Sequence, residues 1–96
     1  MKIPSEIKVA GHTYKVVFED GLWINENLVG QVQYNKQVIR LEPKSHPEMI
    51  TAALHHEVLH IIDRHFNNQR LDEDTIDALA EGLFQVLGSM GITFEK

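Results

Sequence analysis

Ser45-His46-Pro47-Glu48-Met49-Ile50-Thr51-Ala52-Ala53-Leu54-His55-His56-Glu57-Val58-Leu59-His60-Ile61-Ile62-Asp63-Arg64-His65-Phe66 is the stretch from which the rest of the chain can be read. After Pro47 no glycine or proline interrupts it, and its length suits an α-helix rather than a strand. Ser45 and Glu48 have the spacing of a capping box, with Pro47 tolerated in the first turn. With His56 set at 0° and about 100° per residue, Ile50, Leu54, Val58, Ile61 and His65 fall between about 120° and 200°, the core-facing stripe. His60 then lies near about 40° and Glu57 near about 100°, at the edge of that stripe. Side chains so placed are held by the core yet still face a cleft.

Working outward, the polar run Asn67-Asn68-Gln69-Arg70 is a loop, after which Asp72 caps a second helix over residues 72–88, ended by Gly88 and Gly91. Its apolar stripe is Ile76, Leu79, Ala80, Leu83, Phe84 and Leu87. So short a loop makes the two helices antiparallel neighbours and sets Asp77 to Glu81 opposite His56 to His60. Residues 1–44 form a β-rich half. Glu6–Ala10 and Thr13–Phe18 alternate polar and apolar residues around Gly11-His12, and Val29–Tyr34 and Gln37–Leu41 flank Asn35-Lys36, so each pair predicts a hairpin. Asp20–Asn27 reads as a loop, with Trp23 and Tyr34 as core anchors. The expected fold is α+β, a small antiparallel sheet of three to four strands packed on two antiparallel helices, within a single domain spanning residues 1–96.

His56 and His60, one helical turn apart on one face, can reach a single metal ion, and Glu57 can take the proton of a water activated by that metal. This is the HExxH arrangement. The facing helix offers two carboxylates for a third ligand. Asp77 points more toward the first helix, whereas Glu81 is longer and lies nearer the midpoint of the histidines, so the residues alone leave both open. Asp63 lies on the histidine face but too far along the same helix to be a ligand, and is expected instead to hydrogen-bond a ligand imidazole.

A small sheet, a helix carrying Leu54-His55-His56-Glu57-Val58-Leu59-His60 and a second helix carrying an acid resemble the minimal core of the zincin metallopeptidases. The closer resemblance is to small HExxH proteins of bacterial phages and prophages. There the second helix reads as an acid followed by Leu-Ala-x-Gly-Leu, and Asp77-Ala78-Leu79-Ala80-Glu81-Gly82-Leu83 matches with Asp77 at the acid position. The resemblance therefore implies a metal held by His56, His60 and Asp77, with Glu81 as the alternative third ligand, Glu57 as general base, and peptide hydrolysis as the activity.

The remaining histidines and acids have simpler readings. His55 points about 100° away from His56 and reads as surface. His65 is a core or helix-end histidine, His12 belongs to a turn and His46 to a cap. Asp72-Glu73-Asp74 suits the positive end of a helix dipole and lacks the alternating oxygens and glycine of a calcium loop.

Composition narrows the chemistry. The chain has 96 residues, 43% hydrophobic and 24% charged, as expected of a folded domain. A net charge of −5 without a basic cluster argues against a nucleic-acid partner. No segment has the apolar length of a membrane span or signal peptide, so no membrane association and a cytoplasmic location are expected. With no cysteine, imidazole and carboxylate are the metal ligands available, a set that with a water favours zinc. Two functions follow. One is a zinc peptidase in which a strand such as Gly30–Tyr34 pairs with an extended substrate. The other is a non-catalytic metal-binding protein acting through a protein partner, with that partner or a homodimer completing the site.

Overall fold

The computed structural model describes residues 1–96, in the order β1 (Glu6–Val9), β2 (His12–Phe18), α1 (Leu22–Glu26), β3 (Gly30–Gln33), β4 (Val38–Leu41), α2 (Pro47–Phe66) and α3 (Glu73–Ser89). The class is α+β, a four-stranded sheet with two packed helices. The sheet is mixed, which corrects the expectation of purely antiparallel pairing. Its order is β1-β2-β4-β3; β1/β2 and β3/β4 are antiparallel, whereas β2 and β4 run parallel with Lys15 facing Val38 and Phe18 facing Leu41. Burial accounts for the order. Ile39 and Leu41 are fully buried and Arg40 between them nearly so, so β4 takes an interior place; every residue of β3 is only half-buried, and β3 forms an edge.

The connection that carries the chain past the place of β4 contains α1, where a loop was expected. Gly21 at φ 92° and Asn27 at φ 58° bracket this short helix. It buries Leu22, not Trp23, which is 53% exposed and is no core anchor. The first hairpin turns at Ala10-Gly11, both at positive φ as a type I′ turn requires, one residue before the expected Gly11-His12. The second turns over residues 34–37 rather than two residues, with Gln37 in the left-handed region. Tyr34, in that turn, lies beneath the Arg64 guanidinium, 4.2 Å from its ring centre.

α2 is the middle layer. Ile50, Leu54 and Ile61 join Val9, Tyr14, Val16, Ile39 and Leu41 in one core against the sheet. Its cap is His46, not Ser45: His46 Nδ1 accepts the Glu48 N–H at 3.1 Å, and Pro47 follows in the first turn. α3 starts as expected, with the Asp72 carboxylate accepting the Thr75 N–H at 2.7 Å. Ile76 and Ala80 are its buried residues, and α3 packs on α2 rather than on the sheet. The end of the chain returns to its beginning, where Ile3 N–H donates to Glu95 O at 2.7 Å. No helix is long and apolar enough to cross a membrane.

Charged groups fasten the periphery. On the sheet face away from α2, Arg40 pairs with Glu19 at 2.7 Å and Glu26 at 3.0 Å and hydrogen-bonds Gln31, which ties α1 to the sheet. Glu42, just beyond β4, accepts the N–H groups of Trp23 at 3.1 Å and Lys44 at 3.2 Å. These donors, Trp23 first, hold its carboxyl below the usual carboxylate range. A folded pKa below the unfolded one gives stability that is complete above the unfolded value and is lost as pH falls through the folded value. Glu42→Gln is therefore expected to unfold at lower urea than the parent at pH 7. That gap should close as pH drops below the ordinary value of 4.5; a gap unchanged at pH 3 would assign no such role to the carboxylate.

Candidate metal centre

His56 and His60 leave α2 one turn apart with their rings 4.8 Å between centres and their Nε2 atoms 3.1 Å apart. Glu73, the first residue of α3, closes the group: Oε1 lies 2.8 Å from His56 Nε2 and Oε2 lies 3.2 Å from His60 Nε2. The three side chains present one ligand atom each to a common point and could hold a metal ion. Asp77, one turn further along α3, stands on the other side of the His56 ring, with Oδ1 3.0 Å from Nδ1.

The donor set suits a cation: two imidazole nitrogens and a carboxylate converge, with Nε2 of His56 3.1 Å from Nε2 of His60 and 2.8 Å from Glu73 Oε1. Ligands about 2.0–2.2 Å from one tetrahedral centre stand roughly 3.3–3.6 Å from one another, a little wider than the 2.8, 3.1 and 3.2 Å separations here. The histidine side chains are about a quarter exposed and Glu73 more than half, so the cluster opens to solvent on one side. An open position is what a reactive, rather than purely structural, centre needs.

The two acids weighed for a third ligand thus occupy different places. Asp77 contacts His56 but on Nδ1, on the side of the ring away from the Nε2 atoms. Glu81 lies off the cluster and accepts a long hydrogen bond from Gln85 at 3.4 Å. Glu73 was hidden in sequence by a sufficient simpler explanation, the favourable dipole at a helix start. Equal spacing from the loop set Asp77 to Glu81 opposite the histidines and does not locate Glu73, which reaches them from the first turn of α3. The available signal was that Glu73 is the first acid after the cap on the facing helix.

Glu57 is 8% exposed and lies between α2 and the outer edge of the sheet, where Oε1 accepts the Val32 N–H of β3 at 3.2 Å. Burial raises its pKa, opposed by the charges of His56 and His60 and by the Val32 N–H. Glu57, His56, Asp77 and Glu81 line one cleft.

Three neighbouring residues depart from expectation. His55 is buried, not on the surface, with its ring near Phe84 and Phe94 and both nitrogens unpaired; burial lowers its pKa and keeps it neutral. Asp63 touches no ligand imidazole. Its Oδ1 accepts from Asn67 Nδ2 at 2.9 Å and Leu71 N–H at 3.3 Å, so it shapes the loop between α2 and α3. His65 is a helix-end residue bonded to Tyr14 OH at 2.7 Å and stacked on His12.

Comparison of the chain with protein-family models, with curated proteins and with solved structures found no match. The geometry itself ranks the ligands. In calorimetric titration with Zn²⁺, His56→Ala, His60→Ala and Glu73→Ala should each abolish stoichiometric binding. Asp77→Asn should weaken it by about 10–100-fold, as for a group that orients a ligand, and Glu81→Ala should leave it unchanged. A loss in Asp77→Asn as complete as in Glu73→Ala would put Asp77 among the ligands.

Proposed function

We propose that this chain is a zincin-like metallopeptidase of the small phage type, holding zinc through His56, His60 and Glu73 and cleaving a peptide bond. The observation that carries the reading is the solvent-open group of two imidazoles and a carboxylate with the buried acid Glu57 next in the chain to His56. Two nitrogens and one oxygen, without cysteine, suit zinc among the common divalent ions. Zinc held there supplies Lewis-acid polarisation of a carbonyl and makes water more acidic.

The chain's own groups do the rest. Glu57 sits in a dry environment that raises its proton affinity, which suits a base that must take a proton from water and pass it to a leaving amine. Asp77, 3.0 Å from Nδ1 of His56, is placed to act on the ring from behind the ligand atom. β3 is an edge strand to which an extended peptide can add, with the Val32 N–H already taken by Glu57.

One observation favours a second reading, a metal-binding protein that acts through a partner without hydrolysis. Glu57 Oε1 is engaged by Val32 N–H, which restrains the base. The two readings part at Glu57→Gln. In the peptidase, this variant should load zinc as the parent does and lose about 10²–10⁴-fold in hydrolysis of a peptide library, because an amide cannot accept the proton. Zinc loading without cleavage in the parent, or equal cleavage by parent and variant, would leave the binding reading.

A further inference from the structure

α3 is divided lengthwise by its own periodicity. With Asp77 set at 0° and about 100° per residue, Ile76 and Ala80, buried against α2, fall at about 260–300°. To one side, between about 320° and 60°, come all the acids of the helix, Glu73, Asp74, Asp77 and Glu81. To the other, between about 180° and 240°, Leu79, Leu83, Val86 and Met90 follow at intervals of four, three and four residues, the spacing of a seam between helices. Nothing in the chain covers this seam: Leu79 is 50%, Val86 56% and Met90 66% exposed. Ile62 and Phe66, which point away from the His56 side of α2, extend the apolar surface and are 40% and 68% exposed.

Two further features set this face apart from an ordinary solvent-facing helix. The thirteen residues Ala78–Met90 hold one charge, Glu81, in a chain that is 24% charged. Depletion of charge is the mark of the centre of a protein–protein contact. Gly82 stands one turn from both Leu79 and Val86, and a Cβ added to it would meet open space. Packing within the chain therefore does not require a glycine there, and in mid-helix it weakens the helix relative to alanine. A second helix lying close across the seam supplies the reason, since the distance between helix axes depends on the side chains at the contact.

We infer that this face joins two copies of the chain, α3 against α3 in antiparallel sense about a two-fold axis. Charge identifies the occupant. The acids of α3 all lie in Glu73–Glu81, and the remainder of the helix to Ser89 has none. Antiparallel pairing sets each acidic half beside the uncharged half of the other copy and opposes the helix dipoles, whereas parallel pairing would bring acid onto acid. The seam carries no charge with which to select a foreign partner, yet it complements itself, as a two-fold contact requires. Two helices about 10 Å wide over the roughly 25 Å length of α3 present a face on the order of 500 Å². Two such faces bury about 1,000 Å², the lower end for a specific contact, so the dimer is weak and concentration-dependent. The metal cluster lies on the acid side of α3 and stays open in both copies. The inference is independent of the metal and peptidase readings.

Sedimentation velocity of the full chain in chelator, from about 5 to about 500 μM, tests it. The mass should rise reversibly from that of one chain, 11.0 kDa, toward that of two and no further. Because each copy has a net charge of −5, added salt should tighten the dimer. Val86→Glu and Met90→Glu should each weaken it by about tenfold or more with the circular dichroism unchanged. Ile24→Glu, at an exposed position of α1 on the far side of the sheet, should leave it as it is. Gly82→Ala should weaken the dimer while raising the urea midpoint of the dilute chain, a combination that a merely solvent-facing glycine would not give. With no native cysteine to interfere, a short bismaleimide should join Leu79→Cys chains to Met90→Cys chains in preference to either with itself. A single-chain mass at every concentration, growth beyond two chains, dissociation by salt, or a dimer indifferent to both Val86→Glu and Met90→Glu would overturn the inference. Preferential linkage of Leu79→Cys chains to one another would overturn the antiparallel arrangement.

Discussion

The rotation of about 100° per residue along α2 is the constraint on which the rest of the structure depends. This helix is the middle layer, so each direction around its axis meets a different neighbour. Leu54 enters the core against the sheet, and His55 turns under Phe84 of α3. His56 meets Glu73 and Asp77, and Glu57 meets the Val32 amide on the edge of the sheet. Four successive residues therefore have four distinct environments, and the helical pitch fixes which chemistry each can carry. Displacing the register of α2 by one residue would put Glu57 against α3 and Val58 against the strand in one direction, or His55 against α3 and His56 against the strand in the other.

Features set by local chemistry were legible in the sequence. The long helix followed from uninterrupted periodicity, the cap at Asp72 from its side chain, and the two hairpins from alternation around turn residues. What required distant partners was not. The parallel pairing of β2 with β4 joins strands separated in sequence by α1 and β3, and only the relative need of β4 and β3 for burial decides it. The helical wheel gave the direction of His55 but not that α3 would cover that direction. Likewise Leu22 and Trp23 are adjacent apolar residues, and size alone favours the wrong one for burial; the position of α1 on the sheet selects Leu22. His56, Glu57 and His60 were legible because their spacing is local. Glu73 was not, because it enters through the contact between two helices.

Acidity is concentrated rather than spread. Of the carboxylates in a chain of net charge −5, Glu57, Glu73 and Asp77 gather beside two histidines. Like charges brought together in this way destabilise one another unless a cation offsets them. Glu73 at 2.8 Å from Nε2 and Asp77 at 3.0 Å from Nδ1 set a carboxylate beside each nitrogen of the His56 ring, which favours positive charge at the same place.

The docking of α3 on α2 alone links ligand occupancy to the local unfolding of a single helix. Glu73 belongs to the outermost layer, which the sheet does not hold, while His56 and His60 belong to the best-anchored one. An ion shared between them would be a clasp across that boundary, and the free energy that binds it would also oppose fraying of α3. The protein would then contain two cooperative units of unequal stability. Backbone amides of α3 would exchange with solvent in the opened state at a rate governed by ion concentration, while those of the sheet and α2 would follow global unfolding.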